Sequence, residues 1–183
     1  MWGEILKRDL LGEVRQEDRF HTKEEVREYI KSEIQKQGEN VIIRDLDVSL
    51  VKDLSGLFEG YEDYYNIKYL DLSGWKTSNV KDMSYMFRGY HHLEYINLSG
   101  WDTSNVKNMS AMFMDCKSLK YLDLSGFDVS NVEDMTAMFV SCNNLEYLNI
   151  IGWDTSNVKN MEEMFCEIDN SVSLTILGDL IFK

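Results

Sequence analysis

A 26-residue internal repeat constrains the fold of this chain more than any other feature. Phenylalanine recurs at that interval in four consecutive copies, at Phe87, Phe113, Phe139 and Phe165. A degraded copy precedes them and carries its phenylalanine at Phe58, so five copies span residues 41–172. A unit this short cannot bury its own apolar side chains, so successive copies must stack on one another. The chain is therefore predicted to form a regular array.

Each copy contains a strand pattern, then a turn, then a helical pattern. In LEYINLS, residues 93–99, the apolar positions Leu93, Ile96 and Leu98 follow the L-x-x-L-x-L signature of leucine-rich-repeat strands. Short polar residues at 102–105 are typical of turns. Apolar residues then recur at helical spacing, at Val106, Met109, Met112 and Phe113. The predicted fold class is α/β: a leucine-rich-repeat-like solenoid of about five 26-residue rungs, each with a short parallel strand and a short helix.

The residues ahead of the array carry the signals of a helix. Thr22 and Glu25 have the spacing of a capping box, and Gly38 is typical of a helix stop. We predict a helix from about Lys23 to Gln37. Because an open parallel sheet edge invites pairing with another chain, we interpret this segment as an N-terminal helical cap on the first rung.

The last residues, SLTILGDLIFK, resemble a final strand, and two interpretations of them stay open. Arrays usually end in an edge-blocking rung, which favours a C-terminal cap. An uncovered apolar edge would instead dimerise the chain or mark a piece cut from a longer array. The predicted domains are the N-terminal helical cap, the solenoid and the C-terminal capping strand, at residues 1–40, 41–172 and 173–183.

The charge of the chain argues against several classes of partner. Its 32 acidic and 19 basic residues give a formal net charge of −13, so direct binding to nucleic acid or to an anionic membrane is not expected. No apolar run is long enough to span a bilayer, and we expect no membrane insertion. The first twenty residues mix both charge signs with apolar residues, which is not a signal-peptide pattern. As it stands, the chain is expected in the cytoplasm.

The sequence contains no recognisable catalytic set, metal site or cofactor motif. Cys116 and Cys142 share one repeat column, and Cys166 lies in another. No C-x-x-C pair and no histidine at ligand spacing accompanies them, so we interpret the thiols as small core side chains. We expect no enzymatic activity, no metal and no cofactor.

One constellation of residues points to a binding surface. In each of four copies a tyrosine precedes the central strand residue, and an aspartate or asparagine follows it. Because strand side chains alternate, both should lie on the outer face of the sheet. Aromatic residues with polar neighbours are typical anchors of protein interfaces, but a tyrosine row could equally stack to stabilise the sheet. The candidate partner-binding residues are Tyr69, Asp71, Tyr95, Asn97, Tyr121, Asp123, Tyr147 and Asn149.

A family resemblance rests on the string LSGWDTSNVKNMSAMFMDCKSL at residues 98–119. It resembles the 26-residue leucine-rich repeat of BspA-like bacterial surface proteins, over residues 41 to about 172. The resemblance implies a leucine-rich-repeat-like solenoid that binds other proteins at a cell surface or after secretion, without catalysis. Ordinary leucine-rich repeats carry an asparagine ladder where this chain has a mainly tryptophan column: Trp75, Trp101, Phe127 and Trp153.

These observations predict a non-catalytic protein–protein interaction module that binds a protein partner through the exposed sheet face. One alternative stays open: an intracellular inhibitor or decoy whose acidic surface occupies a basic or nucleic-acid-binding protein. Most of the charge that this alternative needs lies on residues 41–183, which contain 22 acidic and 11 basic residues.

Overall fold

The computed structural model describes residues 19–59, 66–168 and 175–177, which contain one α-helix and six short strands. The strands form one all-parallel sheet in chain order, and each comes from a successive part of the chain. The chain is therefore α/β, with a sheet compatible with stacked repeats. The elements are α1 (Lys23–Gln37), β1 (Asn40–Ile42), β2 (Tyr69–Asp71), β3 (Tyr95–Asn97), β4 (Tyr121–Asp123), β5 (Tyr147–Asn149) and β6 (Thr175–Leu177).

The register of the sheet places equivalent repeat positions side by side. Tyr69 pairs with Tyr95, and Leu70 pairs with Ile96. The predicted final strand is confirmed for Thr175–Leu177, which pairs in parallel with β5. The other residues of the segment 173–183 lie outside the described ranges, as do residues 1–18 of the proposed cap.

Helix α1 begins and ends where the sequence predicts. The Glu25 N–H donates to Thr22 Oγ1 at 3.2 Å, and the Thr22 N–H donates back to the Glu25 carboxylate at 3.3 Å. Gly38 ends the helix with a φ of 70°, which glycine adopts without steric cost. The helix buries the apolar side chains Val26, Ile30 and Ile34. Within the described residues, no helix is long and apolar enough to cross a membrane.

Two basic side chains of α1 contact the backbone of the first repeat copy. Lys23 Nζ donates to the Ser55 carbonyl at 2.9 Å, and Arg27 Nε donates to the Leu57 carbonyl at 3.1 Å. The equivalent carbonyls of the next copy are those of Ser84 and Met86. They accept hydrogen bonds from backbone N–H groups of the first copy. No described copy precedes the first one, so α1 supplies the donors that its carbonyls would otherwise lack.

The prediction of a short helix in each copy is wrong. Every second N–H of this segment donates to the next copy at 2.8–3.0 Å; the donors Met109, Ala111, Phe113 and Asp115 bond the carbonyls of Asp134, Thr136, Met138 and Val140. Ala111 and Asp115 take φ values of 52° and 62°, which an α-helix does not contain. Successive turns satisfy the same apolar spacing as a helix, while their backbone groups form a second ladder between copies.

The core lies between the sheet and this turn ladder. Its largest column is a continuous stack of phenylalanine rings with centroids 5.1–5.8 Å apart, made of Phe58, Phe87, Phe113, Phe139 and Phe165. Cys116 and Cys142 are free thiols buried beside it, as predicted, whereas Cys166 is exposed. Desolvation raises the pKa of Cys142 to about 12, so this thiol stays protonated and unreactive.

The tryptophan column ties each copy to the one before it. The buried indole N–H groups of Trp75, Trp101 and Trp153 donate to the carbonyls of Ile43, Leu72 and Leu124 at 2.6–3.0 Å. On the same connection, asparagine amides donate to earlier carbonyls, as Asn105 does to Ser78 at 2.8 Å. Tryptophan and asparagine together therefore provide the ladder that a stack of this kind requires. Phe127 interrupts the tryptophan column because its ring has no N–H.

We predict that Trp101→Phe lowers the free energy of unfolding by about 2 kcal/mol, since it leaves the Leu72 carbonyl without its buried donor and removes ring volume. Urea unfolding followed by circular dichroism measures the change. Tyr121→Phe is the control, because it removes one polar atom from an exposed ring and should leave stability nearly unchanged. An equal midpoint for Trp101→Phe and the native chain would contradict a stabilising role for the indole bond.

Candidate functional site

The outer face of the sheet carries two rows of side chains. The central residue of each repeat strand is buried, so the residues on either side of it lie on the opposite face. We call the residues before it the tyrosine row: Tyr69, Tyr95, Tyr121 and Tyr147. We call those after it the acid–amide row: Asp71, Asn97, Asp123 and Asn149. The structure thus brings all eight candidate residues to one face of the sheet.

Exposure changes along the tyrosine row. Tyr69 and Tyr95 stack with ring centroids 5.1 Å apart and planes 6° apart. Tyr121 is 51% exposed, and in the described part of the chain its ring has no stacking partner. Its hydroxyl donates to the Glu146 carboxylate at 3.3 Å. The first pair therefore has the geometry of a stabilising stack, whereas Tyr121 presents its ring to solvent.

Asp71 departs from the exposed position that strand alternation predicts. Its side chain is fully buried, and Arg44 from the preceding copy covers it, with Arg44 Nε donating to Asp71 Oδ2 at 2.7 Å. Burial opposes ionisation of Asp71, but the hydrogen bonds from Arg44 and Ser73 outweigh it and lower the pKa of the carboxyl. The sequence pattern missed this because Arg44 lies outside the repeat consensus. Asp71 is therefore part of an ion pair within the chain.

Asp123 occupies the same row two copies later and has a different environment. Its carboxylate accepts the Ser125 N–H at 3.0 Å and the Ser125 hydroxyl at 2.7 Å. Burial opposes ionisation of Asp123, but the Ser125 bonds and the Asn149 amide keep its pKa below the ordinary value. Ser99 stands where Arg44 stands in the first copy, so no described side chain places a cation on Asp123. Asp123 is an exposed and ionised carboxylate.

The sheet opens between β3 and β4, beside Asp123. Three residue pairs join the strands at the neighbouring boundaries, but only Tyr95 and Tyr121 pair here. At the β1–β2, β2–β3 and β4–β5 boundaries the residue after the strand donates to the next copy, as Leu124 does to the Asn149 carbonyl at 2.8 Å. Leu98 makes no such bond among the described residues. The opening coincides with Phe127, which lacks the indole donor that would reach the Leu98 carbonyl.

A concavity of about 430 Å³ occupies this opening, and we call it the β3–β4 cleft. Its lining includes Tyr95, Leu98, Gly100, Tyr121, Asp123 and Tyr147. Sequence reasoning placed the three tyrosines and Asp123 on one face but did not predict a cleft. The signal that could have found it is the single phenylalanine in an otherwise tryptophan column.

Charges beside the tyrosine row alternate and mostly neutralise each other. Lys68 bonds Glu39 at 2.8 Å, and Lys120 bonds Glu94 at 2.7 Å. Glu146 continues the series next to Tyr121, with no lysine bonded to it in the described ranges. Asp123 and Glu146 are therefore the carboxylates of these two series to which no described lysine or arginine is bonded. Among the described residues, no cluster of three His, Cys, Asp or Glu could hold a metal ion.

A family model described as "Mycoplasma protein of unknown function, DUF285" matches the chain in two overlapping segments, at residues 28–146 and 88–172. The two segments together span residues 28–172, which include most of α1 and the whole repeat array. The search of curated proteins and the search of solved structures gave no match.

We predict that Asp71→Asn destabilises the chain by on the order of 1 kcal/mol at pH 7, because the ion pair is lost while asparagine keeps the shape found at the same position in later copies. The lowered pKa of Asp71 means that its contribution is present above the unfolded-state pKa of about 4 and is lost as pH falls through the folded-state value. The difference in urea midpoint between native and variant chains should therefore be largest near neutral pH and shrink at acidic pH.

Asp102→Asn is the matched control for this prediction, since Asp102 is exposed and its carboxylate accepts bonds from Ser104 within its own turn. It should leave the urea midpoint nearly unchanged at pH 7. A difference between Asp71→Asn and the native chain that persists unchanged at low pH would contradict the ion-pair assignment.

Proposed function

This chain belongs to the DUF285 family, whose description gives no function, and from its own surface we propose that it is a non-catalytic module which binds a protein partner. The outer face of the sheet is the binding surface, and the tyrosine row supplies its anchors. The single observation that carries the proposal is an in-register row of tyrosines with two exposed members, Tyr95 and Tyr121, on a rigid parallel ladder.

Aromatic side chains on a rigid scaffold suit partner binding for an entropic reason. A tyrosine has few rotatable bonds, so ordering it against a partner costs little conformational entropy while it covers a large area. Here the rows also place hydrogen-bonding groups beside the rings, namely Asn97, Asp123 and Asn149. Such a mixed aromatic and polar surface is typical of interface centres.

The finer architecture belongs to the same proposal. We interpret the two ladders as the two sides of a leucine-rich-repeat-like solenoid, in which turns stand where many such repeats have helices. The repeat string at residues 98–119 supports kinship with BspA-like bacterial surface proteins. A surface or secreted location and an adhesin-type role would follow from that kinship. Dimerisation through the C-terminal edge is a further part of the proposal, resting on the apolar residues 173–183.

A second candidate function draws on the charge of the array. Residues 41–183 have twice as many acidic as basic residues, 22 against 11. In this alternative the chain is an inhibitor or decoy that occupies a basic or nucleic-acid-binding protein. The attraction would then come from many exposed carboxylates rather than from a few aromatic anchors.

We predict that the double variant Tyr95→Ala, Tyr121→Ala loses at least tenfold in affinity for its partner, because two aromatic anchors each contribute about 1 kcal/mol or more. The partner is first captured from a cell extract with the native chain, and its affinity is then measured with purified proteins. Tyr85→Ala is the matched control: this tyrosine is also about 40% exposed but lies on the turn ladder, where later copies carry Ala111 and Ala137. Equal affinity of native and double-variant chains, with intact circular dichroism, would refute the site.

Salt dependence separates the two candidate functions. A decoy bound through many carboxylates should weaken steeply between about 0.05 and 0.3 M salt, since screening acts on exposed charges. A complex anchored by tyrosines should change much less over the same range. The measurement is the dissociation constant of the purified complex at several salt concentrations, and a steep slope together with an unaffected double variant would favour the decoy.

A further inference from the structure

The acid–amide row contains one carboxylate, that of Asp71, which binds a cationic side chain of the same chain. Asp71 and Asp123 occupy the same repeat column, and both accept bonds from the serine two residues later. Asp71 also holds the Arg44 guanidinium, which the preceding copy supplies. The equivalent residue of the copy before Asp123 is Ser99, which carries no charge. The aspartate of this column therefore binds a guanidinium in one copy, at Asp71, and no described cationic side chain in another, at Asp123.

The open position coincides with the β3–β4 cleft. Tyr95, Tyr121 and Tyr147 line the cleft together with Asp123. Tyr121 is more exposed than Tyr95, the other exposed tyrosine of the row. Leu98 and Gly100 line the cleft, and their backbone N–H groups bond no described acceptor. Such N–H groups can donate to a peptide carbonyl of a bound segment. The cleft therefore combines one carboxylate, aromatic faces and free backbone donors.

We propose that the β3–β4 cleft binds an arginine side chain of the protein partner, with Asp123 holding the guanidinium as Asp71 holds that of Arg44. The inference rests on the proposed function, since it names the chemistry of the partner at the same face. A guanidinium fits these walls because it pairs with a carboxylate through a planar fork and also stacks on aromatic rings, which a hydrated ammonium does less well. Lys120 does not compete for Asp123, because it is bonded to Glu94.

The charge around the cleft favours this occupant. Glu146 accepts a hydrogen bond from the Tyr121 hydroxyl and so places a second carboxylate next to a tyrosine that lines the cleft. A phosphate or a carboxylate ligand would be repelled by both groups, so an anionic partner is disfavoured at this place. Phe127 lines the cleft and is the one residue among the four of the tryptophan column that has no indole N–H.

The inference is tested by nuclear magnetic resonance on the full chain with a small probe, N-acetyl-arginine methylamide. The matching probes are N-acetyl-citrulline methylamide, which has the same shape without the charge, and N-acetyl-lysine methylamide with a free ε-amine. We expect saturable shifts of the Leu98 and Gly100 amide signals with the arginine probe, at about tenfold lower concentration than with citrulline. Equal responses to all three probes, or no response, would overturn the inference.

Two matched variants decide whether Asp123 is responsible. Asp123→Asn should weaken the arginine probe about tenfold and is expected to fold, because Asn97 and Asn149 occupy the same column. Asp102→Asn makes the same charge change at an aspartate with the same serine bonds that does not line the cleft, and this variant should bind the probe like the native chain. If both variants weakened probe binding equally, the effect would come from the net charge of the chain, and the assignment of the site to Asp123 would be overturned.

The outcome is distinguishable from a failure of the proposed function. If the arginine probe does not bind while the double tyrosine variant still loses its partner, the outer face is an interface and the arginine assignment is wrong. If the probe binds through Asp123 while the tyrosine variant keeps full affinity for the partner, the cleft recognises arginine but the tyrosine anchors are refuted.

Discussion

Backbone hydrogen bonds between equivalent positions of successive copies are the constraint on which the rest of this structure depends. They run in two parallel ladders, one through the strands and one through the turns. Because every copy repeats the same geometry, each side-chain type forms a column with near-constant spacing. The phenylalanine stack, the tryptophan bonds and the tyrosine row are all consequences of that one register.

Where a residue departs from the repeat consensus, the surface of that copy differs from the surface of the other copies. Arg44 replaces a serine and turns Asp71 from an exposed acid into a buried ion pair. Phe127 replaces a tryptophan, and the sheet opens beside it. In an array of identical copies every copy would offer the same surface to a partner. Departures from the consensus therefore give this chain a distinct site.

The two proposals use this regularity in complementary ways. The tyrosine row provides a rigid aromatic surface whose geometry the ladder fixes in advance, which lowers the entropic cost of binding. The β3–β4 cleft would add specificity, since one ionised carboxylate in a partly enclosed site discriminates a guanidinium from a neutral side chain. The acidic excess of the array would assist both by attracting a basic partner over longer distances.

The sequence by itself determined the 26-residue period, the strand positions, the burial of the phenylalanine column and the ends of α1, because each of these depends on local periodicity or capping. It also placed the tyrosine row on the outer face. Only the tertiary structure decided that turns replace the helices, that Arg44 covers Asp71 and that β3 and β4 part beside Phe127. These features depend on hydrogen bonds between residues about one repeat apart. Such bonds compete with hydrogen bonds inside one copy, and the sequence of a single copy does not show which of the two will form.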